Sequence, residues 1–204
     1  MEIKTIGVIG AGDWGRQIAC AALLGGFRTI LEDVSADKLE QGIAHISREL
    51  HGRVARGRLT LEQKDAAMAR LSSANRADDV CREADMLIET VPEEMEVKLE
   101  IFTIFDKFAK PDAILASHTA LSITEIAAIT FRTENCVAMR FVDRTPERTS
   151  LEIVRGADTS EATVVTCVNV GRQMGMETLV VRDDADYIAD DAPPARFRVK
   201  GVPE

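Results

Sequence analysis

Lys4-Thr5-Ile6-Gly7-Val8-Ile9 followed by Gly10-Ala11-Gly12-Asp13-Trp14-Gly15 is the stretch whose reading decides the fold. A short apolar run bounded by turn residues reads as a buried strand. The loop after it has the spacing G-x-G-x-x-G, and the alanine-rich segment 16–24 that it opens reads as a helix. In that setting each glycine has a task. Gly10 permits a tight turn, Gly12 lets the backbone approach a pyrophosphate, and Gly15 lets the helix pack against the strand. The helix N-terminus, with Asp13 and Trp14 at its head, offers free N–H groups to phosphates. Roughly 20 residues beyond the loop, Asp33 closes a second strand, where a carboxylate meets ribose hydroxyls. Glu32 stands beside it, and the two acids make a poor seat for a 2′-phosphate. The expected ligand is therefore a dinucleotide, NAD rather than NADP. FAD-binding proteins share the same loop.

Outward from this unit, strand and helix alternate. The second strand spans 29–31 and ends at Gly-free acids, after which Ser35 caps a helix running to about Ala55. Gly57 breaks that helix, and Thr60 with Gln63 has the spacing of a capping box, opening another helix to about Leu71. The two helices read as a hairpin inserted in the sheet pattern. Strands follow at 86–91, 114–117, 136–141, 151–154 and 178–181. Helices are expected at 94–108 and 160–174, and Ser122 with Glu125 has the spacing of another capping box. This order predicts an α/β fold with a doubly wound, mostly parallel sheet of Rossmann type, carrying the helical hairpin. The dinucleotide-binding domain is expected over 1–183. From Asp183 the composition changes, with five aspartates by Asp191 and then Pro193 and Pro194, so 184–204 reads as an acidic tail rather than a second domain.

The bulk composition fits this picture. The 204 residues are 46% hydrophobic and 29% charged, enough for one core beneath a polar surface. A net charge of −9 argues against nucleic acid, whose phosphates want a basic face. No apolar run reaches the length of a membrane span. The four cysteines, Cys20, Cys81, Cys136 and Cys167, are scattered and form no C-x-x-C, which fits reduced thiols in a cytoplasm. The three histidines, His45, His51 and His118, lack metal-ligand spacing.

Several further segments, in order, carry a resemblance. Leu31-Glu32-Asp33-Val34-Ser35, Gly57-Arg58-Leu59-Thr60, Ile88-Glu89-Thr90-Val91-Pro92-Glu93, Leu115-Ala116-Ser117-His118-Thr119 and Leu151-Glu152-Ile153-Val154 are similar to segments of 3-hydroxyacyl-CoA dehydrogenases. Together with the glycine loop they resemble the N-terminal NAD-binding domain of that family over about 3–183. The resemblance implies hydride transfer between NAD and C3 of a 3-hydroxyacyl-CoA, in fatty acid metabolism. It implies that Glu93, Lys98 and Ser117 belong to the cofactor site, and that the hairpin helps hold coenzyme A, with Arg53, Arg56 and Arg58 as candidates for its phosphates.

The chain departs from that family where its chemistry is done. The family's base is a histidine in H-F-F-N-P, oriented by a glutamate. Here the stretch is Met139-Arg140-Phe141-Val142-Asp143-Arg144, so Arg140 takes the histidine position and Asp143 that of the asparagine. A guanidinium stays protonated and cannot accept a proton. Glu152 keeps the orienting position, and an Arg140–Glu152 ion pair is one expected outcome. The family's S-N-T-S-S-L becomes Ser117-His118-Thr119-Ala120-Leu121, one residue shorter, leaving His118 as a substitute base only if something orients it. The family's D-T-P-G-F-I-V-N-R becomes Asp183-Asp184-Ala185-Asp186-Tyr187-Ile188-Ala189-Asp190, and no counterpart of its helical domain is expected. The expectation is an NAD-binding relative whose catalysis is weak or lost, forming a homodimer through surface that the helical domain would cover. The alternatives are an active dehydrogenase completed by a partner chain, a non-catalytic NAD-sensing subunit, and a structural oligomer with an empty site.

Overall fold

A computed structural model describes residues 2–145 and 148–183, and side chains only outside 143–149. The chain enters the middle of a sheet as β1 (Thr5–Ile9), turns through the glycine loop into α1 (Asp13–Leu24), and returns as β2 (Arg28–Glu32). Next comes α2 (Ala36–Ala55), capped by Ser35, whose side chain accepts from Lys38 N at 3.4 Å. Then α3 (Leu61–Met68) is opened by a complete capping box between Thr60 and Gln63. The hairpin expected from the sequence is therefore present. It is the crossover from β2 to a strand that the sequence reading overlooked, β3 (Leu71–Ala74), which pairs with β2 in parallel. The expected helix end at Leu71 is corrected to Met68, because Leu71 is already in that strand.

A second overlooked element, α4 (Ala77–Glu83), leads into β4 (Met86–Glu89). The expected strand 86–91 is shorter in the structure, because Thr90 and Val91 leave the sheet to face the glycine loop. Then follow α5 (Met95–Phe108), β5 (Ile114–Ser117) and α6 (Ile123–Ala127). At α6 the Ser122 hydroxyl accepts from Glu125 N, so the cap half of the expected box is present. The chain closes with β6 (Cys136–Thr145), β7 (Arg148–Arg155), α7 (Glu161–Gln173) and β8 (Glu177–Arg182).

The described strands form one sheet in the order β3-β2-β1-β4-β5-β6-β7-β8. All neighbours are parallel except β6 and β7, which are antiparallel. The order reverses between β1 and β4, which opens a crevice at their carboxyl ends, where ligands of such sheets bind.

The period of two decides what faces what. Ile6, Val8, Leu31, Met86, Ile88, Ala116, Met139 and Leu151 pack on one side, with residues of α1, α2 and α7. Ile9, Ile30, Leu87, Leu115, Ala138 and Val154 pack on the other, with α4, α5 and α6. Gly7 faces that second side, and a Cβ there would lie 2.4 Å from a Val80 methyl, so its absence lets α4 sit close. The same parity places Glu32, Glu89, Ser117, Arg140 and Glu152 on the α4–α5–α6 side; the first three are the last residues of β2, β4 and β5, and the other two face each other within β6 and β7. Among the described residues no helix is long and apolar enough to cross a membrane.

Candidate functional site

The glycine loop is built as its spacing predicts. Gly10 has φ +99°, a left-handed conformation that favours glycine. Gly15 packs so tightly under the loop that a Cβ would lie 1.8 Å from the Gly10 carbonyl oxygen. The Thr90 hydroxyl donates to Ile9 O at 3.1 Å and lies 3.2 Å from Gly10 O, buttoning the loop to the end of β4. Gly12 differs. Its φ of −69° suits any residue, and a Cβ there would meet nothing within 4 Å. No atom of the chain requires glycine at that position, whereas a pyrophosphate lying against the backbone would. Asp13 and Trp14 head α1, and the Asp13 carboxylate is paired with Arg16 one turn on.

Asp33 lies where the sequence places it and is already engaged. Its two oxygens accept from Ala11 N at 3.0 Å and Ser35 N at 2.9 Å, so it fixes the glycine loop to the end of β2. Gly10, Gly12, Glu32 and Asp33 line a cleft of about 730 Å³ whose other wall includes Val91, Pro92, Ile101, Ile104 and Phe108. The near rim is Asn75, Arg76, Ala77 and Asp78, from the strand and helix that the sequence reading overlooked. Glu32 is not the second surface acid expected beside Asp33. It is only 2% exposed, and burial, then the neighbouring Asp33 charge, raises its pKa to about 7.

At the ends of β4 and β5 lies a polar network sealed from solvent. Lys98 and Glu89 are both fully buried. The ammonium lies 3.0 and 3.2 Å from the Glu89 oxygens, 3.3 Å from Glu93 Oε2 and 3.3 Å from His118 O. The Ser117 hydroxyl donates to Glu89, and Val91 N donates to it at 3.0 Å. Burial raises the Glu89 pKa, although Lys98 and Ser117 pull the other way. Lys98 and Ser117, expected at the cofactor, thus sit beneath the site. Glu93 reaches over them, and its Oε1 accepts from Thr119 Oγ1 at 2.7 Å and Ala120 N at 2.6 Å. Burial pushes the Glu93 carboxyl up, but these donors and Lys98 hold it below the usual carboxylate range. The sequence reading gave no role to Glu89 or Thr119. The signal for Glu89 is a carboxylate inside an apolar strand, which needs a partner.

The catalytic positions split between the two faces of the sheet. Arg140 lies directly opposite Glu152 in the β6–β7 register, and Glu152 is 8% exposed. Antiparallel neighbours in this position share a face. Arg140 Nε donates to Thr119 O at 2.7 Å and a terminal nitrogen donates to Ala120 O at 3.3 Å. His118 follows Ser117 and turns to the α1 side. Its ring centroid is 4.6 Å from that of Trp14 and 6.0 Å from that of Phe141. Phe141 N donates to its Nδ1 at 3.3 Å, and Met139 O lies equally near. Its described partners are backbone atoms, and none is a carboxylate. Burial lowers its pKa, which favours the neutral ring. The side chain of Asp143 lies outside the described ones. Among the described residues no group of His, Cys, Asp or Glu could hold a metal.

Two mutational contrasts test this geometry. Gly15→Ala should cost about 3 kcal/mol or more in urea unfolding, since backbone must move. Gly12→Ala should stay within about 1 kcal/mol of the parent protein. Equal losses at both glycines would contradict the assignment of different tasks. Lys98→Met should destabilise by about 3–5 kcal/mol by stranding the Glu89 charge, and adding Glu89→Gln should recover much of it. A loss under about 1 kcal/mol for the single change would show that the pair opens to water.

Comparison with known proteins places this geometry. The family described as 3-hydroxyacyl-CoA dehydrogenase, NAD binding domain, matches residues 5–184. The chain is 38% identical over 189 residues to 3-hydroxybutyryl-CoA dehydrogenase of Bradyrhizobium diazoefficiens, covering 92% of the chain and 64% of that protein. It is 33% identical over 191 residues to a probable 3-hydroxybutyryl-CoA dehydrogenase of Bacillus subtilis, covering 93% and 66%. Among solved structures, (S)-3-hydroxybutyryl-CoA dehydrogenase PaaH1 from Ralstonia eutropha superposes with a TM-score of 0.85 at 29% identity, covering 90% of this chain and 65% of that one. The chain thus spans slightly under two thirds of these relatives. It belongs to the NAD-binding domain family of the 3-hydroxyacyl-CoA dehydrogenases, and NAD is its cofactor.

Proposed function

We propose that the chain binds NAD(H) in preference to NADP(H) and that its hydride transfer with a 3-hydroxyacyl-CoA is weak or lost. The observation that carries the second half is Arg140, at the family's base position and opposite Glu152. Bound NAD⁺ would supply the acceptor for the hydride that leaves C3 of the hydroxyacyl group. The hydroxyl proton would still need a base, and a guanidinium is not one. Arg140 donates instead to the carbonyls of Thr119 and Ala120. Among the described side chains no carboxylate bonds to His118, and Ala120 offers no hydroxyl to substrate. The cofactor preference rests on Asp33, whose charge sits at the end of β2 beside the loop. Of the arginines proposed for coenzyme A phosphates, Arg53 and Arg56 share Glu49, at 3.0 and 3.7 Å. The reading includes a homodimer, for which exposed Phe131 and Ile129 are the apolar surface, and a cytoplasmic setting, where the four free, buried cysteines stay reduced.

The alternative, an active dehydrogenase completed by a partner chain, draws on the retained Glu152. Calorimetric titration should give NADH a dissociation constant at least about tenfold below that of NADPH, a difference of about 1.4 kcal/mol. Equal affinities would overturn the role of Asp33. An absorbance assay of NADH oxidation by acetoacetyl-CoA should show turnover about 10²–10⁴ below that of an intact relative, the usual worth of a general acid or base. Arg140→His alone should recover little of it. Robust turnover by the unaltered chain would favour the alternative, and strong rescue would show that the base alone is missing.

A further inference from the structure

Among the described residues, Glu32 Oε1 is the only buried side-chain oxygen without a hydrogen-bond partner. A stranded buried acceptor costs free energy, so it calls for an explanation. The alternation along β2 sends Leu31 to the α1–α2 side and Ile30 and Glu32 to the α4–α5 side. Glu32 thereby becomes part of the lining of the cleft at the end of β2. The rest of that lining joins an apolar wall to a polar rim of Lys38, Asn75, Arg76 and Asp78. Val91, Ile101 and Ile104 stand on one wall, and Val34 lies 87% exposed at the rim. A flat aromatic ring packs against such a wall, and a ring with polar atoms on its edge needs a matching polar group beside it.

The charged groups around Glu32 leave it unpaired. Asp33 follows it in the chain, Arg76 and Asp78 stand at the start of α4, Cys81 lies further along that helix, and Lys38 lies on α2. Arg76 is committed to Asp78 at 3.0 Å, and Asp33 to the two backbone amides. With a pKa raised to about 7, the Glu32 carboxyl carries a proton for much of the time near neutrality. A protonated carboxyl donates through O–H and accepts through C=O. Adenine offers the complement along one edge, a ring nitrogen that accepts beside an exocyclic amino group that donates.

We propose that Glu32 reads the adenine of the cofactor, its carboxyl donating O–H to a ring nitrogen and accepting the 6-amino N–H. The inference rests on the reading that this cleft holds NAD. It gives the buried acid a binding role distinct from that of Asp33 at the ribose. It also makes affinity depend on pH. The protonated form is the binding form, so affinity should be highest below pH 7 and fall as pH rises through it.

The test is calorimetric titration of the full chain with NAD⁺ and with its 1,N⁶-etheno analogue, which lacks the 6-amino N–H, at pH 6 and pH 8.5. The unaltered protein should bind NAD⁺ about tenfold or more less tightly at pH 8.5 than at pH 6. Glu32→Gln, whose amide also donates and accepts, should stay within about threefold of the parent's pH 6 value and lose the pH dependence. Glu32→Leu should bind weakly at both pH values. The etheno analogue should bind the parent and Glu32→Leu about equally. A pH dependence unchanged in Glu32→Gln, or equal binding of NAD⁺ and the analogue by the parent at pH 6, would overturn the role of Glu32 while leaving NAD binding intact. Absence of NAD⁺ binding at either pH would overturn the NAD reading and this inference together. Should Glu32→Leu fail to fold, the isosteric Gln variant and the analogue still decide.

Discussion

The buried pair of Lys98 and Glu89 is the interaction on which the functional end of the sheet depends. Two charges removed from water cost several kcal/mol each unless every polar atom around them is satisfied. Here the carboxylate also accepts from Ser117 and Val91 N, and the ammonium also reaches Glu93 and His118 O. The pair therefore ties β4, α5 and β5 to a single geometry. Its consequences continue outward. Glu93, held by Lys98, organises the turn of Thr119, Ala120 and Leu121 through one oxygen. That turn presents the carbonyls that Arg140 binds. A lysine two strands and a turn away thus sets where the cation at the base position sits.

Strand parity does the rest of the positioning. A period of two fixes which side each residue faces, so one face gathers Glu32, Glu89 and Ser117 at the carboxyl ends of three parallel strands, with Arg140 and Glu152 opposed on β6 and β7. His118 is one residue past Ser117, and that single step carries it to the opposite side, against Trp14. Its neighbours there are the rings of Trp14 and Phe141 and the backbone of Met139 and Phe141. Gly7 and Gly15 serve the same scaffold by letting a helix and the loop approach within distances a side chain forbids.

Much of this was legible in the sequence because it is local. The strand, glycine loop and helix of residues 4–24, the caps at Ser35 and Thr60, and the acid at Asp33 follow from spacing and turn chemistry. The sequence reading overlooked Leu71-Ser72-Ser73-Ala74 because a four-residue edge strand with two serines carries little apolar signal. It then overlooked α4, seven residues long and rich in charge, and with it the near rim of the cleft. Burial of charge was the other blind spot. Lys98 on a helix and Glu32 beside Asp33 look like surface residues, since nothing local says which side of the sheet they face. The opposition of Arg140 and Glu152 came from resemblance, and the β6–β7 register supplies its physical basis.

The departures at the catalytic positions answer one another. The turn after Ser117 is one residue shorter than the family's and carries Ala120, so it presents backbone carbonyls rather than a hydroxyl. A guanidinium has donors spread over a planar fork and can satisfy two such carbonyls while its charge faces a carboxylate across the strand pair. Arg140 does the first with Thr119 O and Ala120 O and stands opposite Glu152. A histidine at the same position has two ring nitrogens and a shorter reach. It would form a pair with Glu152 only by giving up at least one of those carbonyls. The shorter turn and the arginine therefore form one polar arrangement.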